Sequence, residues 1–407
     1  MLTLDQVYQA AYVLKDVARK TDMIFAPDFA ADRQIFLKTE NLQLTGSFKL
    51  RGAYYKISQL SEEQKAAGII ACSAGNHAQG VALAASRMGI KSTICMPDGA
   101  PISKIEATRR LGADICLVNG TYDDAHDKAV ELQKESGATF IHPFEDDHVI
   151  AGQGTIGLEI LDQLKDVDAV ICPVGGGGLI SGVSFAIKSL NPKVKVYGVQ
   201  AANAPGMYES IHQGKKVTTK TVATFADGIA VKTPGDMTLE LTKKYVDDIV
   251  TVTEDQIAAA ILRLLERQKL ITEGAGAVSV AAAMFSDLPL ENKKTVCILS
   301  GGNIDVNILS RVITRGLITS GRNATLSIAL EDKPGQLEGV SHIISKCGGN
   351  VTSVHHEKSD ANMPISSCIL RIGMETRSFE QIQEITDALE QAGFNIVSGS
   401  NYSSFYG

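Results

Sequence analysis

Between Gly68 and Gly302 short apolar runs rich in β-branched residues alternate with longer stretches of helical periodicity, and nothing else in the sequence constrains the fold as strongly. Strands covered by helices on both faces read as continuous apolar runs, so the pattern predicts parallel strands joined by crossover helices. The runs are GIIACS, STICMP, ADICLV, TFIHP, AVICPV, KVYGVQ and TVCILS, with helices such as HAQGVALAASRMG and YDDAHDKAVELQKESG between them. The class is α/β. Gly, Ser or Asn directly follows several of the strands, at the carboxyl ends where open sheets of this class gather ligands.

After Gly316 the pattern changes. The segment TSGRN has no apolar period and reads as a linker, and a second domain opens at Ala324. Its order is strand (TLSIALE), helix (PGQLEGVSHIISKCG), strand (NVTSVHHEK), strand (ISSCILRIG), helix (SFEQIQEITDALEQAG) and strand (NIVSG). This βαββαβ order is ferredoxin-like. The expected division is 1–320 and 324–407, and a length of 407 residues accommodates it.

With 44% hydrophobic and 21% charged residues and a formal charge of -7, the chain lacks the basic excess of a nucleic-acid binder. Its N-terminus carries Asp5 and Asp16 inside the apolar stretch, so an amphipathic helix is expected there and no signal peptide. No apolar run approaches the roughly 20 residues of a membrane span. The seven cysteines are odd in number and never spaced CxxC, which suits buried thiols in a reducing cytosol. The adjacent His355 and His356 alone do not make the paired-ligand spacing of a structural zinc site.

Four stretches carry candidate chemistry. In KTENLQLTGSFKLRGA, Lys49 is flanked by Phe48 and Leu50; it is either a snorkelling surface residue or, if buried, an amine of lowered pKa able to form a Schiff base. CSAGNHAQG runs from a strand end through Ser73, Gly75 and Asn76 into a helix, giving either a plain cap or an anion site for a carboxylate. The glycines Gly175 to Gly178 let backbone N–H groups turn inward around a phosphate; no Lys-Ser/Thr pair follows, so this is no nucleoside-triphosphate loop. In ILSGGNID, Ser300 ends a strand and is either part of a turn or a hydroxyl facing a cofactor's ring nitrogen. A G-x-G-x-x-G spacing at Gly152, Gly154 and Gly157 lacks a good preceding strand and the later acidic residue of a dinucleotide site, so it is set aside.

Through SFKLRGA, SAGNHAQG, AGQGTIGLEI, GGGGLISG, TEGAGA and SGGNID, in that order, the chain resembles the threonine/serine dehydratases among the fold-type II pyridoxal phosphate enzymes. That family has two open parallel-sheet subdomains, which implies a smaller one over about 49–145 set into a larger one. Residues 325–407 resemble a single ACT regulatory domain, whose DKPGQL signature is Asp332 to Leu337. The resemblance implies pyridoxal 5'-phosphate as cofactor, held covalently by Lys49, with Phe48 and Gly228 beside its ring and Asn76 on its phenolic oxygen. It places Gly175, Gly176, Gly177, Gly178 and Leu179 on the phosphate and Ser300 at the pyridine nitrogen. Ser73, Ala74, Gly75, Asn76 and His77 would hold the carboxylate of an amino-acid substrate.

The implied reaction is α,β-elimination of L-threonine to 2-oxobutanoate and ammonia, and of L-serine to pyruvate and ammonia, with Lys49 and Ser73 as the catalytic pair. A neutral Ser300 at the ring favours elimination over transamination. Ala74 stands where related serine racemases carry a second serine, so racemisation is not expected as the main activity; Gln200, Ala204 and Gly206 replace the acidic loop of relatives that bind divalent cations. A serine-preferring dehydratase and a non-catalytic amino-acid sensor are the competing readings, and retention of Lys49, the glycine run and Ser300 together disfavours the second. The thiols and the N-terminus imply a cytoplasmic protein, and the ferredoxin-like domain a homo-oligomer, a dimer or tetramer, which either binds a branched-chain amino acid or only uses the domain for assembly. Gly335, Gln336 and Leu337 at a helix start, together with Asn350, are the expected effector contacts.

Overall fold

All seven apolar runs form strands, and a helix follows each of them in the chain as the alternation requires. The computed structural model describes residues 2–29, 32–358 and 366–397 and divides the chain into two units, Met1–Leu309 and Ser310–Gly407.

The first unit contains two sheets. The larger runs in the order Met23–Phe25, Gln34–Lys38, Lys294–Ile298, Ala169–Pro173, Lys195–Ala201, Asp248–Val252, antiparallel at the first pair and parallel after it. The smaller is wholly parallel, in the order Asp114–Val118, Ser92–Pro97, Ile69–Cys72, Thr139–Phe140. Every residue of Ala169–Pro173 and of Ile69–Cys72 is buried, which is why both read as unbroken apolar runs. Val170, Cys172, Val196 and Val296 pack against Ile180, Val183 and Ile187 of the helix Gly178–Leu190. In the smaller sheet Ile69, Ala71 and Ile94 meet Ala78, Val81 and Ala82 of the helix Asn76–Arg87. Thr121 caps the helix Tyr122–Ser136 reciprocally with Asp124, and Gly137 ends it at φ 72°.

The set-aside glycine motif lies inside the helix Asp147–Gln163, and its glycines serve close helix packing. A Cβ on Gly152 would stand 2.6 Å from the Gly52 Cα, and one on Gly154 3.0 Å from the Gly182 carbonyl oxygen. Small residues at these crossings let the backbone of Asp147–Gln163 approach those of Lys49–Ser58 on one side and Gly178–Leu190 on the other.

In the second unit the strands Asn350–Glu357, Ser367–Glu375, Asn323–Glu331 and Asn395–Ile396 form one antiparallel sheet in that order, the ferredoxin-like arrangement. Leu326, Ile328, Leu330, Leu370, Ile372 and Met374 face Val340, Ile344, Ile382 and Ile385 of the helices Gln336–Lys346 and Phe379–Gln391. The linker TSGRN is shorter than its composition suggests: Thr319 ends the helix Val306–Thr319 and Asn323 already opens a strand. Ile365, Ser398 and Gly399 of the expected strands lie outside the described residues. Among the described residues no helix is long and apolar enough to cross a membrane.

Candidate active site

Lys49 opens the helix Lys49–Ser58, and the segment before it is laced to the end of the central strand Lys294–Ile298. Ser47 bridges Gly301, the Phe48 N–H donates to the Ser300 carbonyl (3.1 Å), and the Gly302 N–H donates to the Gly46 carbonyl (2.8 Å). Gly46 turns at φ 69°, and the Asn303 side chain occupies the place a Cβ would take. Two motifs far apart in sequence are thus one rigid corner. Phe48 packs against the core of the larger sheet, and the Lys49 Nζ lies 5.4 Å from its ring centre. That Nζ donates to the Pro143 carbonyl at 2.8 Å. Burial pushes its pKa down to about 8, opposed by the Glu273 charge, so the neutral amine is within reach near neutral pH.

From the smaller sheet, the strand Ile69–Cys72 delivers Ser73 to Asn76 at its carboxyl end. The Ser73 Oγ accepts from the Gly75 N–H (3.1 Å), shaping the turn into the helix Asn76–Arg87, while Ala74 packs partly into that sheet's core. The Asn76 amide is fixed at both ends: it donates to Glu273 Oε1 (2.6 Å) and accepts from Asn303 Nδ2 (2.7 Å). Asn303 donates its other proton to the Thr45 carbonyl (2.8 Å). The His77 Nε2 lies 2.8 Å from the Ile141 carbonyl, and burial with the Lys49 charge holds its imidazole down at about 3, so the ring is neutral.

The glycine run connects the strand Ala169–Pro173 to the helix Gly178–Leu190. Gly177 adopts φ 99°, which favours glycine, and its Cβ would meet Met207 and Thr238 at 2.7 Å. Side chains on Gly176 or Gly178 would overlap Phe144. Thr238 Oγ1 donates to the Gly176 carbonyl at 2.6 Å, which turns that carbonyl away and leaves the cradle to N–H groups. Leu179 anchors the helix start in the core. A Cβ on Gly228 would lie 3.1 Å from Glu273 Oε1, and Ser300 Oγ donates to the Ala275 carbonyl (3.1 Å).

The structure therefore gathers Lys49, Asn76, the glycine run, Gly228 and Ser300 into one connected region of the first unit. Two further participants stand out. Glu273, in TEGAGA, is 3% exposed, and burial together with the Asp227 charge pushes its carboxyl up to about 7. His142, before Pro143 and Phe144, accepts the Phe144 and Glu145 N–H groups on Nδ1 (3.3 and 2.8 Å), which leaves Nε2 to carry the ring's proton. Burial holds its imidazole down at about 4. His142 ends the strand-like run TFIHP and Glu273 lies in TEGAGA, and a buried carboxylate reached by an asparagine from beyond the other sheet has no local signature.

A phosphate-bearing aldehyde fits these groups: a desolvated amine donating to a backbone carbonyl, a cradle that a Cβ at Gly176, Gly177 or Gly178 would crowd, a helix N-terminus, an oriented amide and a neutral hydroxyl. Of the expected effector contacts, Gly335 (φ 92°) precedes the helix Gln336–Lys346, with Gln336 and the exposed Leu337 in its first turn. Asn350 follows the other end of that helix and donates to Glu375 (2.9 Å). A helix of this length spans about 16 Å, so within one chain Gly335 and Asn350 do not meet on one ligand.

Residues 14–301 match the family model described as pyridoxal-phosphate dependent enzyme. An L-threonine ammonia-lyase of Thermotoga maritima is 50% identical over 97% of this chain and 99% of its own, and one of Geobacter sulfurreducens is 43% identical over 97% and 98%. Among solved structures, the processed form of threonine deaminase isoform 2 from Solanum lycopersicum matches with a TM-score of 0.73 and 41% identity, over 76% of this chain and 93% of that one.

Proposed function

Because the chain belongs to the pyridoxal-phosphate dependent enzymes, we propose that it catalyses the ammonia-lyase reaction of L-threonine, giving 2-oxobutanoate and ammonia, and acts on L-serine as well. The observation that carries this reading is Lys49: a buried amine donating to the Pro143 carbonyl, next to Phe144, which packs against the glycine run. Pyridoxal phosphate, when bound, supplies the electron sink that makes an amino acid's α-proton removable.

The chain's residues do the rest. Lys49, Asn76, Gly175 to Leu179 and Ser300 would hold the cofactor, together with Phe48 and Gly228. The turn from Ser73 to His77 takes the substrate carboxylate on its N–H groups, beside a neutral His77 that adds no charge of its own. Lys49 Nζ would serve as the base that accepts the α-proton; its lowered pKa suits that role near neutral pH. Glu273 and Asn303 orient Asn76 and, through it, the cofactor. Ser300, a hydroxyl, gives the ring no permanent proton, which favours loss of the β-hydroxyl over transfer of the amino group.

The second unit is read as an ACT regulatory domain for a branched-chain amino acid in a cytoplasmic homo-oligomer. The separation of Gly335 from Asn350 calls for two copies to complete such a site, and a dimer or tetramer supplies them. The test is a keto-acid assay over L-threonine, L-serine and their D-isomers, with borohydride reduction to fix the cofactor on Lys49. Failure to form 2-oxobutanoate from L-threonine overturns the reaction. Calorimetry with isoleucine and valine, on the full chain and on a chain ending at Arg322, tests the regulation; binding that survives the truncation overturns the second unit's role.

A further inference from the structure

Three residues outside the catalytic unit converge on one point. Asp332 follows the strand Asn323–Glu331, His356 lies on the edge strand Asn350–Glu357, and Cys368 lies on the strand between them in the sheet, Ser367–Glu375. His356 stands opposite Leu370, and Cys368 opposite Leu330, so His356 and Cys368 project from the same face of adjacent strands. A carboxylate oxygen of Asp332, a ring nitrogen of His356 and the sulfur of Cys368 all lie within 4.8 Å of one another, and His356 Nε2 is 2.8 Å from Cys368 Sγ. No other group of three such ligands converges this closely among the described residues.

The surroundings suit a cation. Cys368 is 1% exposed and carries no disulfide, so its sulfur is a buried, uncommitted ligand atom. The Asp332 carboxylate accepts from Lys358 Nζ at 2.8 Å, so a positive charge already sits at the rim. The Asp332 N–H donates to the Ser366 carbonyl (2.8 Å), which fixes the turn carrying the carboxylate. His356 and Asp332 are exposed, giving the point an entry from solvent.

We propose that Asp332, His356 and Cys368 form a binding site for a zinc-class divalent metal ion. The sulfur selects against magnesium and calcium, which take oxygen ligands, and the thiolate, imidazole and carboxylate set suits Zn²⁺ or Co²⁺. Three protein ligands leave a fourth position for water. On binding, the Cys368 thiol gives its proton to solvent, the Cys368 sulfur and His356 nitrogen bond the metal, and Asp332 exchanges Lys358 for it.

The test is a Co²⁺ titration of the full-length protein, followed by thiolate-to-cobalt absorption and by proton release, with Zn²⁺ added afterwards to displace the cobalt. The expected result is saturation at one metal per chain, loss of the band in Cys368→Ser, and at least about tenfold weaker binding in His356→Ala, the scale typical of disturbing a metal site. Lys358→Ala should tighten binding, since it removes the competing cation from Asp332. His356 and Lys358 are exposed, so those two variants report on the site even if Cys368→Ser is unstable. Absence of the band, its persistence in Cys368→Ser, or unchanged affinity in both His356→Ala and Lys358→Ala overturns the proposal.

Discussion

Lys38 and Lys49 are both withdrawn from water, and desolvation lowers the pKa of both, yet their surroundings fit them for opposite tasks. Lys38 Nζ donates to the Thr21 carbonyl (2.7 Å), to Glu159 (2.5 Å) and to Gln163 (2.9 Å). It belongs to a buried ion cluster in which Arg51 bonds Glu40 through Nε and Nη2, both at 2.8 Å, and Glu159 through Nη1 at 2.7 Å. Three acceptors, one of them a carboxylate, use all three protons and keep that side chain an ammonium. Lys49 has the Pro143 carbonyl. Burial alone does not make a reactive lysine; burial without a carboxylate partner does.

The widest separation between the two is expected on truncation. Lys49→Ala should lower keto-acid production by more than about a thousandfold, a loss of at least about 4 kcal/mol of barrier lowering, with the unfolding midpoint in urea little changed. Lys38→Met should leave turnover per folded molecule nearly intact and cost about 1–3 kcal/mol of stability, because the Thr21 carbonyl and Gln163 lose their donor while Glu159 keeps Arg51. If Lys38→Met abolishes turnover in folded protein, the division of labour between the lysines is wrong.

A sharper version uses glycines. Gly176→Ala pushes a methyl group into Phe144 beside the cradle and should weaken cofactor binding about 10–100-fold, the equivalent of about 1–3 kcal/mol of overpacking. Gly152→Ala, at the helix crossing, should lower the unfolding midpoint while leaving cofactor affinity alone. Cofactor titration of both apoproteins separates the outcomes.

A smaller effect follows from pH. Only the neutral amine condenses with an aldehyde, and a Lys49 pKa of about 8 in place of 10.5 means that its neutral fraction rises with pH and levels off near pH 9. Cofactor uptake by the apoprotein should therefore increase roughly tenfold from pH 7 to 9 and then flatten, where an unperturbed lysine would give roughly a hundredfold rise without a plateau. Stopped-flow absorbance distinguishes the curves. The smallest effect is at Ser300, where an aspartate would favour a protonated ring: Ser300→Asp should slow elimination several-fold, about 1 kcal/mol, and raise the amino-transfer by-product. Unchanged product ratios would remove Ser300 from the ring.

Much of this was readable in the chain because it is local. Five of the seven apolar runs are strands largely buried in their sheets, with Asp114–Val118 and Thr139–Phe140 as partly exposed sheet edges, and the stretches around Lys49, Asn76, Gly175 and Ser300 each end or begin an element. What escaped notice depends on distant partners. The strand Gln34–Lys38 ends in a lysine and carries little apolar run, yet it pairs with the central strand because Lys38 finds its acceptors elsewhere in the fold. Glu273 is a site residue only through Asn76 of the other sheet. Gly335 and Asn350, expected on one effector, stand at opposite ends of a helix, a separation that local sequence does not display. The reverse holds for Asp332, His356 and Cys368: no ligand spacing marks them, and sheet register alone brings them together.

The crossing of Gly152 over Gly52 has a genetic consequence. When a residue grows at a contact, a suppressor usually arises by trimming its neighbour, but here the neighbour is already glycine and nothing smaller can be encoded. A damaging allele at position 152 is therefore rescued by changes that raise the stability of the whole unit, wherever they lie, and not by an allele-specific partner at position 52.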